Sequence, residues 1–352
     1  MKKKILSICI ASYNRKDIII SDIKSYLSLD DDRFIVTVQD DRSTDGAFEE
    51  LEKLIDNRLI VRRNIDNLGA LQNAKAALDN HEDCLYVLNL NDKDCIDAKV
   101  LPAFLDYLEK ERPYYGYVDL KNNIPFRVET IDCGIDALIR LSYLCKHPSG
   151  FFWRSELFHE EIKKDYYKAL PQKFDYQFDL MYAHCAVKLP GVIVYIPLII
   201  NSLMRPELSG AKSYSYTEDN LYYGKKKRLE TYEIFLNDIT KLDTDIKNKR
   251  QIQFYITKRT AGFVTTSLRL SLQHRDICGH YNLTPRVISF IEMEANLCSV
   301  INLYNKYAKQ YNNWFLLQFN IIKVFVRYTL SSLKMCIKEF LFGFKQKPLV
   351  NG

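Results

Sequence analysis

Glycine is scarce in this chain, twelve in 352 residues. That disfavours propellers and other glycine-rich β folds, whose tight turns recur blade after blade. The nine cysteines are scattered, with none at Cys-x-x-Cys spacing. Zinc-site spacing is therefore absent, and free thiols of a reducing cytoplasm are expected. The apolar run 5–11 after Met1-Lys2-Lys3-Lys4 is too short for a secretory segment, so none is expected there. Phosphate-binding glycine loops are missing too. There is no Gly-x-Gly-x-x-Gly after the first apolar run and no Walker loop, which disfavours nicotinamide dehydrogenases and P-loop enzymes. The polar turn Ser12-Tyr13-Asn14-Arg15 has no glycine either, which disfavours a sugar nucleotidyltransferase. Acid is nearly absent from the C-terminus: after Glu294 only Glu339 faces eight lysines and arginines. The net charge of +6 thus belongs to the tail, and it points to an anionic surface as partner there.

What is present is a globular chain, 47% hydrophobic and 27% charged, long enough for one large domain and a smaller one. Short apolar runs at 5–11, 34–38, 59–61 and 85–90 read as strands. Helical spacing at 17–29, around 49–51 and from Asn67-Leu68-Gly69 through Leu78 separates them, which predicts a doubly wound sheet. The run 85–90 ends in Asn91-Asp92-Lys93-Asp94. A buried strand that delivers an Asp-x-Asp pair to its carboxyl end places two hard oxygen ligands where open α/β sheets bind ligands. The bland alternative is a solvated turn.

Four segments in this order resemble the family-two glycosyltransferases: residues 7–15, the run Asp40-Asp41-Arg42-Ser43-Thr44-Asp45-Gly46, residues 64–69, and the Asp92/Asp94 strand end. The resemblance spans about residues 4–197 and is closest in flavour to bacterial enzymes of capsular and surface polysaccharide synthesis. It implies an α/β GT-A (nucleotide-diphospho-sugar transferase) fold with a doubly wound mixed sheet, here followed by an all-helical C-terminal region. It also implies inverting transfer of a sugar from a nucleotide-diphosphate donor, expected to be a UDP-sugar, to a saccharide or lipid-linked saccharide. Ala11, Ser12 and Tyr13, with Arg15 beside them, would line the nucleobase. Asp40 or Asp41 would accept from the uracil imide or a ribose hydroxyl. Asn67 and Gly69 would approach the nucleotide, and Asp92 and Asp94 would hold Mn²⁺ or Mg²⁺ against the diphosphate. The strand end departs from the family's run of acids at Asn91 and Lys93; a register that used those two would weaken the metal site.

Helix is predicted over 99–112 and 132–145, and strand over 114–120. The segment His147-Pro148-Ser149-Gly150-Phe151-Phe152-Trp153-Arg154 corresponds to the family's Gly-aromatic strand beneath the donor sugar. His147 is a candidate acceptor-loop residue, against the commoner reading of a structural loop histidine. A helix then runs to Lys188 and a last strand over 192–197. The family's general base sits at the start of that helix. Aligning Asp179-Leu180 on the family pattern puts Gln177, which cannot act as a base, in its place. Asp175 and Asp179 are the available carboxylates, with Asp175 favoured; either can instead be a helix cap.

Residues 1–205 are accordingly expected to form the transferase domain and 206–352 a helical extension, with a loop over 201–215 and helices over 219–237, 245–274, 285–310 and 314–344. Arg205, Lys212 and the run 225–228 are basic candidates for diphosphate, against the reading of a solvated face. In 314–344, Lys323, Arg327, Lys334, Lys338 and Lys345 fall within about 60° of one another on a helical wheel. Phe315, Phe319, Ile322, Val326, Leu330, Leu333, Ile337 and Phe340 occupy the other sides. Such charge argues against a spanning helix and for one of three partners: the interface of an anionic membrane, the neighbouring helices, or a second copy in a homodimer. The expected location is cytoplasmic, peripheral at the inner face of the cell membrane. Nucleic acid is a poorer partner, because no helix joins the basic stripe to residues suited to reading bases. A degenerate transferase serving as an assembly protein is the alternative that Gln177, Lys93 and Asn91 keep open.

Overall fold

The computed structural model describes residues 3–79, 84–120, 125–171, 174–202, 205, 217–218, 224–273, 278, 283–309 and 314–342. It divides into two compact units, Met1–Ser209 and Gly210–Gly352.

The first unit alternates strand and helix as the apolar periodicity requires. Strand β1 (Lys4–Ser12) leads to helix α1 (Lys16–Leu27), β2 (Phe34–Asp40), α2 (Ala47–Leu51), β3 (Leu59–Arg63), α3 (Ala70–Leu78) and β4 (Cys84–Asn91). β1, β2, β3 and β4 are mutually parallel, with Ser12 opposite Asp40 and Ala11 opposite Asn91. Because these strands share a direction, their polar ends open on one edge of the sheet. α1 buries Ile19, Ile23 and Tyr26, spaced by four and three residues, on the core formed by Ile8, Ile10, Val36 and Leu88.

The chain continues through β5 (Cys95–Ile96), α4 (Leu101–Glu111), β6 (Tyr115–Asp119), β7 (Arg127–Ile131), α5 (Ile135–Leu141), β8 (Phe151–Arg154), α6 (Ser155–Glu161), α7 (Asp165–Lys168), α8 (Gln177–Ala186), β9 (Gly191–Tyr195) and β10 (Ile199–Ile200). The eight-stranded sheet runs β3-β2-β1-β4-β8-β6-β9-β7, and β8 lies antiparallel to both neighbours, so the sheet is mixed. Strand order turns back between β1 and β4. That is the topological switch point, where open α/β sheets form their ligand crevice. β7 was not anticipated from the sequence; it is an edge strand of which only Ile131 is buried, so it lacks the alternation that marks a half-buried strand. The helix expected over 132–145 is shorter, because Tyr143 and Cys145 both take positive φ, which no helix continues. α8 is buried on nearly every side, with Tyr182 accepting from the Phe152 amide (3.1 Å) beneath the sheet.

The second unit is helical: α9 (Lys225–Lys241), α10 (Ile246–Gly262), a π-helical turn (Phe263–Ser267), α11 (Leu268–Gln273), α12 (Phe290–Ala308) and α13 (Trp314–Phe342). Of the helix expected over 219–237, residues 219–223 lie outside the described residues; α9 ends later than expected, since Asp238 and Ile239 are buried and carry it on. The single helix expected over 245–274 is interrupted by the π turn, where Asn296 donates to the Val264 carbonyl (3.0 Å). Leu268, Leu272, Ile288 and Met293 form a separate small core. Among the described residues no helix is long and apolar enough to cross a membrane.

Candidate active site

The ends of β1, β2 and β4 are tied to one another by their own loops. The Tyr13 amide donates to Asp92 Oδ2 (3.3 Å) and the Asn14 amide to Ser43 Oγ (2.9 Å). Asn14 Oδ1 accepts from the Thr44 amide (2.8 Å). Asn14 and Arg42 hold positive φ to make these turns, a conformation that needs support from its surroundings. Segments almost eighty residues apart are thereby brought to one edge.

Asp41 organises the next loop. Its carboxylate accepts from the amides of Leu68 (2.7 Å) and Gly69 (2.9 Å) and from Asn64 Nδ2 (2.8 Å). Asn67 Nδ2 donates to the Asp41 carbonyl (3.0 Å). Gly69 stands at φ 79° at the head of α3, where a side chain would be strained. Both Asp41 oxygens are thus engaged inside the protein. Asp40 differs: Oδ2 accepts from the Ser43 amide (3.0 Å) and lies 3.2 Å from Arg63 Nε, whereas Oδ1 is buried without a partner. Ser12 Oγ, across the register from Asp40, is buried and partnerless too. Two adjacent unsatisfied polar atoms at a crevice call for a polar ligand.

At the end of β4, Asp92 lies 3.9 Å from Arg15 Nε, and Arg15 also donates to the Asn14 carbonyl (3.0 Å). Burial pushes the Asp92 carboxyl up to about 6, against the opposing pull of Arg15 and the Tyr13 amide. Burial also lowers the Lys93 ammonium, and Arg15 adds to that. Asp94 is deeper. It accepts from the Ser202 amide (2.8 Å) at Oδ1 and from Ser149 Oγ at Oδ2, with His147 Nδ1 3.5 Å from Oδ2. His147 Nδ1 accepts from the Ser149 amide (3.3 Å).

No three metal-ligating side chains converge among the described residues. The donor set nevertheless suits a metal carried by substrate, since Mg²⁺ is commonly held by one or two carboxylates together with phosphates and water. Burial opposes the Asp92 charge, which a divalent ion would offset, whereas Arg15 and Lys93 beside it oppose a further cation.

The start of α8 is brought beside this edge. Gln177 accepts from Tyr167 (2.7 Å) and donates to the Leu71 carbonyl in the first turn of α3 (3.2 Å). It therefore joins two helices. Asp179 is buried and accepts from the Leu144 amide (2.8 Å), while Asp175 is half-buried just before the helix. Ala11 is half-buried and Tyr13 half-exposed at the end of β1.

Two basic candidates are engaged elsewhere. Arg205 makes a bidentate ion pair with Asp22 of α1 (2.7 and 2.9 Å) and donates to the Lys93 carbonyl (3.3 Å), so it braces the Asp92/Asp94 turn from behind instead of meeting diphosphate. Arg228 is buried with its guanidinium 4.3 Å over the Phe263 ring, which removes it from any solvated face. Lys212 lies outside the described residues. Residues that the sequence reading passed over include Arg63, Asn73 and Ser202. Asn73 donates to the carbonyls of Gln39 (3.0 Å) and Ser12 (3.4 Å), and its only sequence signal is a place one helical turn beyond Gly69.

A mixed sheet with an acidic, loop-tied edge at its switch point is an architecture of the GT-A kind. Residues 7–168 match the model of glycosyl transferase family 2. Over 114 residues the chain is 28% identical to the Escherichia coli UDP-Glc:alpha-D-GlcNAc-diphosphoundecaprenol beta-1,3-glucosyltransferase WfaP; the match covers 32% of this chain and 45% of that enzyme. Among solved structures, S. aureus TarS 1–349 shares the fold at TM-score 0.55 and 18% identity, over 99% of this chain and 95% of that one. The same protein in complex with UDP-GlcNAc gives TM-score 0.58 at 17% identity, over the same shares.

Proposed function

We propose that this chain is an inverting glycosyltransferase that moves a sugar from a UDP-sugar to a hydroxyl of a lipid-linked saccharide during surface polysaccharide synthesis. Residues 1–205 would be its catalytic domain and 206–352 a helical extension that meets the membrane peripherally, with a homodimer as the competing use of that extension. The observation that carries this reading is the convergence of Ser12, Asp40, Asp41, Gly69, Asp92 and Asp94 on one sheet edge, with Ser12 Oγ and Asp40 Oδ1 left unsatisfied. The relative that acts on a diphosphoundecaprenol-linked GlcNAc supports the acceptor class.

Asp40 and Ser12 would take the polar edge of the base, with Ala11, Tyr13 and Arg15 around it. Asp41 would hold the Asn67–Gly69 loop in place for the nucleotide. Asp92 and Asp94 would hold Mn²⁺ or Mg²⁺, which offsets charge on the departing diphosphate when bound. Ser149 and Ser202 fix the Asp94 carboxylate, and His147 beside it faces the reacting sugar. Asp175 is the proposed base that accepts the acceptor hydroxyl's proton as that oxygen attacks from the face opposite the leaving group; Asp179, bonded to the Leu144 amide, positions the helix.

Calorimetric titration with UDP, with and without Mn²⁺, tests the reading. Metal-dependent binding supports it. Binding without metal dependence keeps the transferase and moves diphosphate neutralisation to Lys93. No binding favours the assembly protein that Gln177, engaged between Tyr167 and Leu71, would suit.

A further inference from the structure

Helix α13 has two unlike halves. One packs on the rest of its unit: Ile321, Val324 and Ser332 are buried, Tyr328 donates to the Lys258 carbonyl (2.8 Å), and Thr329 donates to Glu294 (2.7 Å). Glu339 accepts from Arg269 and from Gln273 Nε2 (2.9 Å). The other half carries Ile322, Val326, Leu330, Leu333, Ile337 and Leu341, each 43–62% exposed. At 100° per residue these six span an arc of about 100° along a ridge of about 30 Å. Lys323, Arg327, Lys334 and Lys338, all exposed, line one border of that arc. A continuous apolar strip of this length on a surface marks an interaction site.

We infer that this ridge is a docking surface for an anionic lipid bilayer, with the apolar residues entering the interface and the four cations at the headgroups. It deepens the proposed function by naming the surface on which a lipid-linked acceptor is met, and rests on that reading only for its purpose.

Charge selects this occupant. Val326, Leu330, Leu333 and Ile337 have the 4-3-4 spacing of a coiled-coil seam, so a second copy is the natural competitor. Beside that seam stand Arg327 and Lys334 on one side and Thr329 and Cys336 on the other. A self-pair would set cation against cation or against a neutral residue, with no acid exposed to compensate: the helix's one acid, Glu339, is turned to Arg269, and Glu294 beside Thr329 has one oxygen on that hydroxyl and the other buried. An acidic peptide is a poorer fit, since helical peptides dock in grooves and this face is a ridge. A bilayer supplies negative charge and apolar depth along the whole strip.

The test is flotation of the full chain with vesicles of equimolar phosphatidylglycerol and phosphatidylcholine, and with vesicles of phosphatidylcholine alone, alongside UDP titration of the same preparation. Expected is flotation with the anionic vesicles only, weakened by salt. Each cation near such a surface strengthens binding about fivefold, so K334Q/K338Q should lower the partition coefficient about 25-fold. L330N/I337N should abolish flotation, and neither pair should change UDP binding. The surface is overturned if the wild type stays with the unbound fraction, if neutral vesicles serve equally, or if ultracentrifugation shows a dimer that L330N/I337N dissolves. Flotation with no UDP binding would sustain the surface and remove the transferase reading.

Discussion

At the scale of single residues, Asp92 and Gly150 are constrained in opposite ways. Asp92 is a carboxyl that its surroundings disfavour as an anion, since burial raises it to about 6 against its ordinary range. Such a group is kept for ligand and not for stability. Asp92→Ala is therefore expected to abolish the metal-dependent part of UDP binding without lowering the melting temperature at neutral pH. Full metal-dependent binding in that variant would sink the assignment. Gly150 has the reverse character. It sits at φ 101°, and a Cβ there would lie 2.7 Å from the Val118 carbonyl, on the strand edge that carries Ser149 to Asp94. Gly150→Ala should cost about 1–3 kcal/mol from backbone strain alone, read as a lower denaturant midpoint with an unchanged slope. Of the expected site residues, the acids at strand ends were legible because strand period and polar termination are local features. Asp40's free oxygen and Asp41's engaged ones were not, since they depend on Asn64, Leu68 and Gly69 arriving from another loop.

At the scale of elements, two parallel strands begin from the same turn. Asp31 accepts from the Arg33 amide (2.9 Å) and side chain before β2, and Asp56 from the Arg58 amide (2.8 Å) and side chain before β3. The arginine side chains, chiefly by hydrogen bonding, hold both carboxyls below the usual range. A carboxyl lowered in the folded state stabilises it above the unfolded pKa of about 4 and loses that contribution as pH falls through the folded value. The denaturant midpoint should thus drop on acidification below about pH 4, and less steeply in D31N/D56N; equal slopes would count against the clamp. The Asp22–Arg205 pair ties α1 to the Asp92/Asp94 turn through the Lys93 carbonyl. Asp22→Ala leaves a buried guanidinium without its counter-charge, a loss of about 3–5 kcal/mol by chemical denaturation. No sequence spacing forecast this pair, because its members are 183 residues apart.

At the scale of the whole molecule, each unit carries its own core, around Ile8, Val36 and Leu88 in the first and Leu268 and Met293 in the second. A ligand taken by the first unit stabilises that unit by mass action, about 2.7 kcal/mol at a hundred times its Kd. UDP with Mn²⁺ should raise the melting temperature in scanning calorimetry, and guanosine diphosphate at the same concentration should leave it unmoved. An equal rise with both would remove the role of Ser12 and Asp40 in reading the base. The basic C-terminus belongs to this scale as well: its charge is a property of composition, but its use depends on which side of α13 faces away from the helices beside it.

The amino-acid sequence by itself determined the alternation of strand and helix, the polar ends of β1, β2 and β4, and the motifs that match the glycosyl transferase family 2 model. Those are local patterns of period two and period 3.6, with punctuation at their ends. Tertiary structure decided which of the two aspartates at the end of β2 keeps a free oxygen, that Arg205 and Gln177 brace the site, and that α13 leaves its apolar ridge exposed. Each of these depends on partners distant in sequence, such as Asp22, Leu71 and Lys258, and only the folded chain brings them within hydrogen-bonding reach.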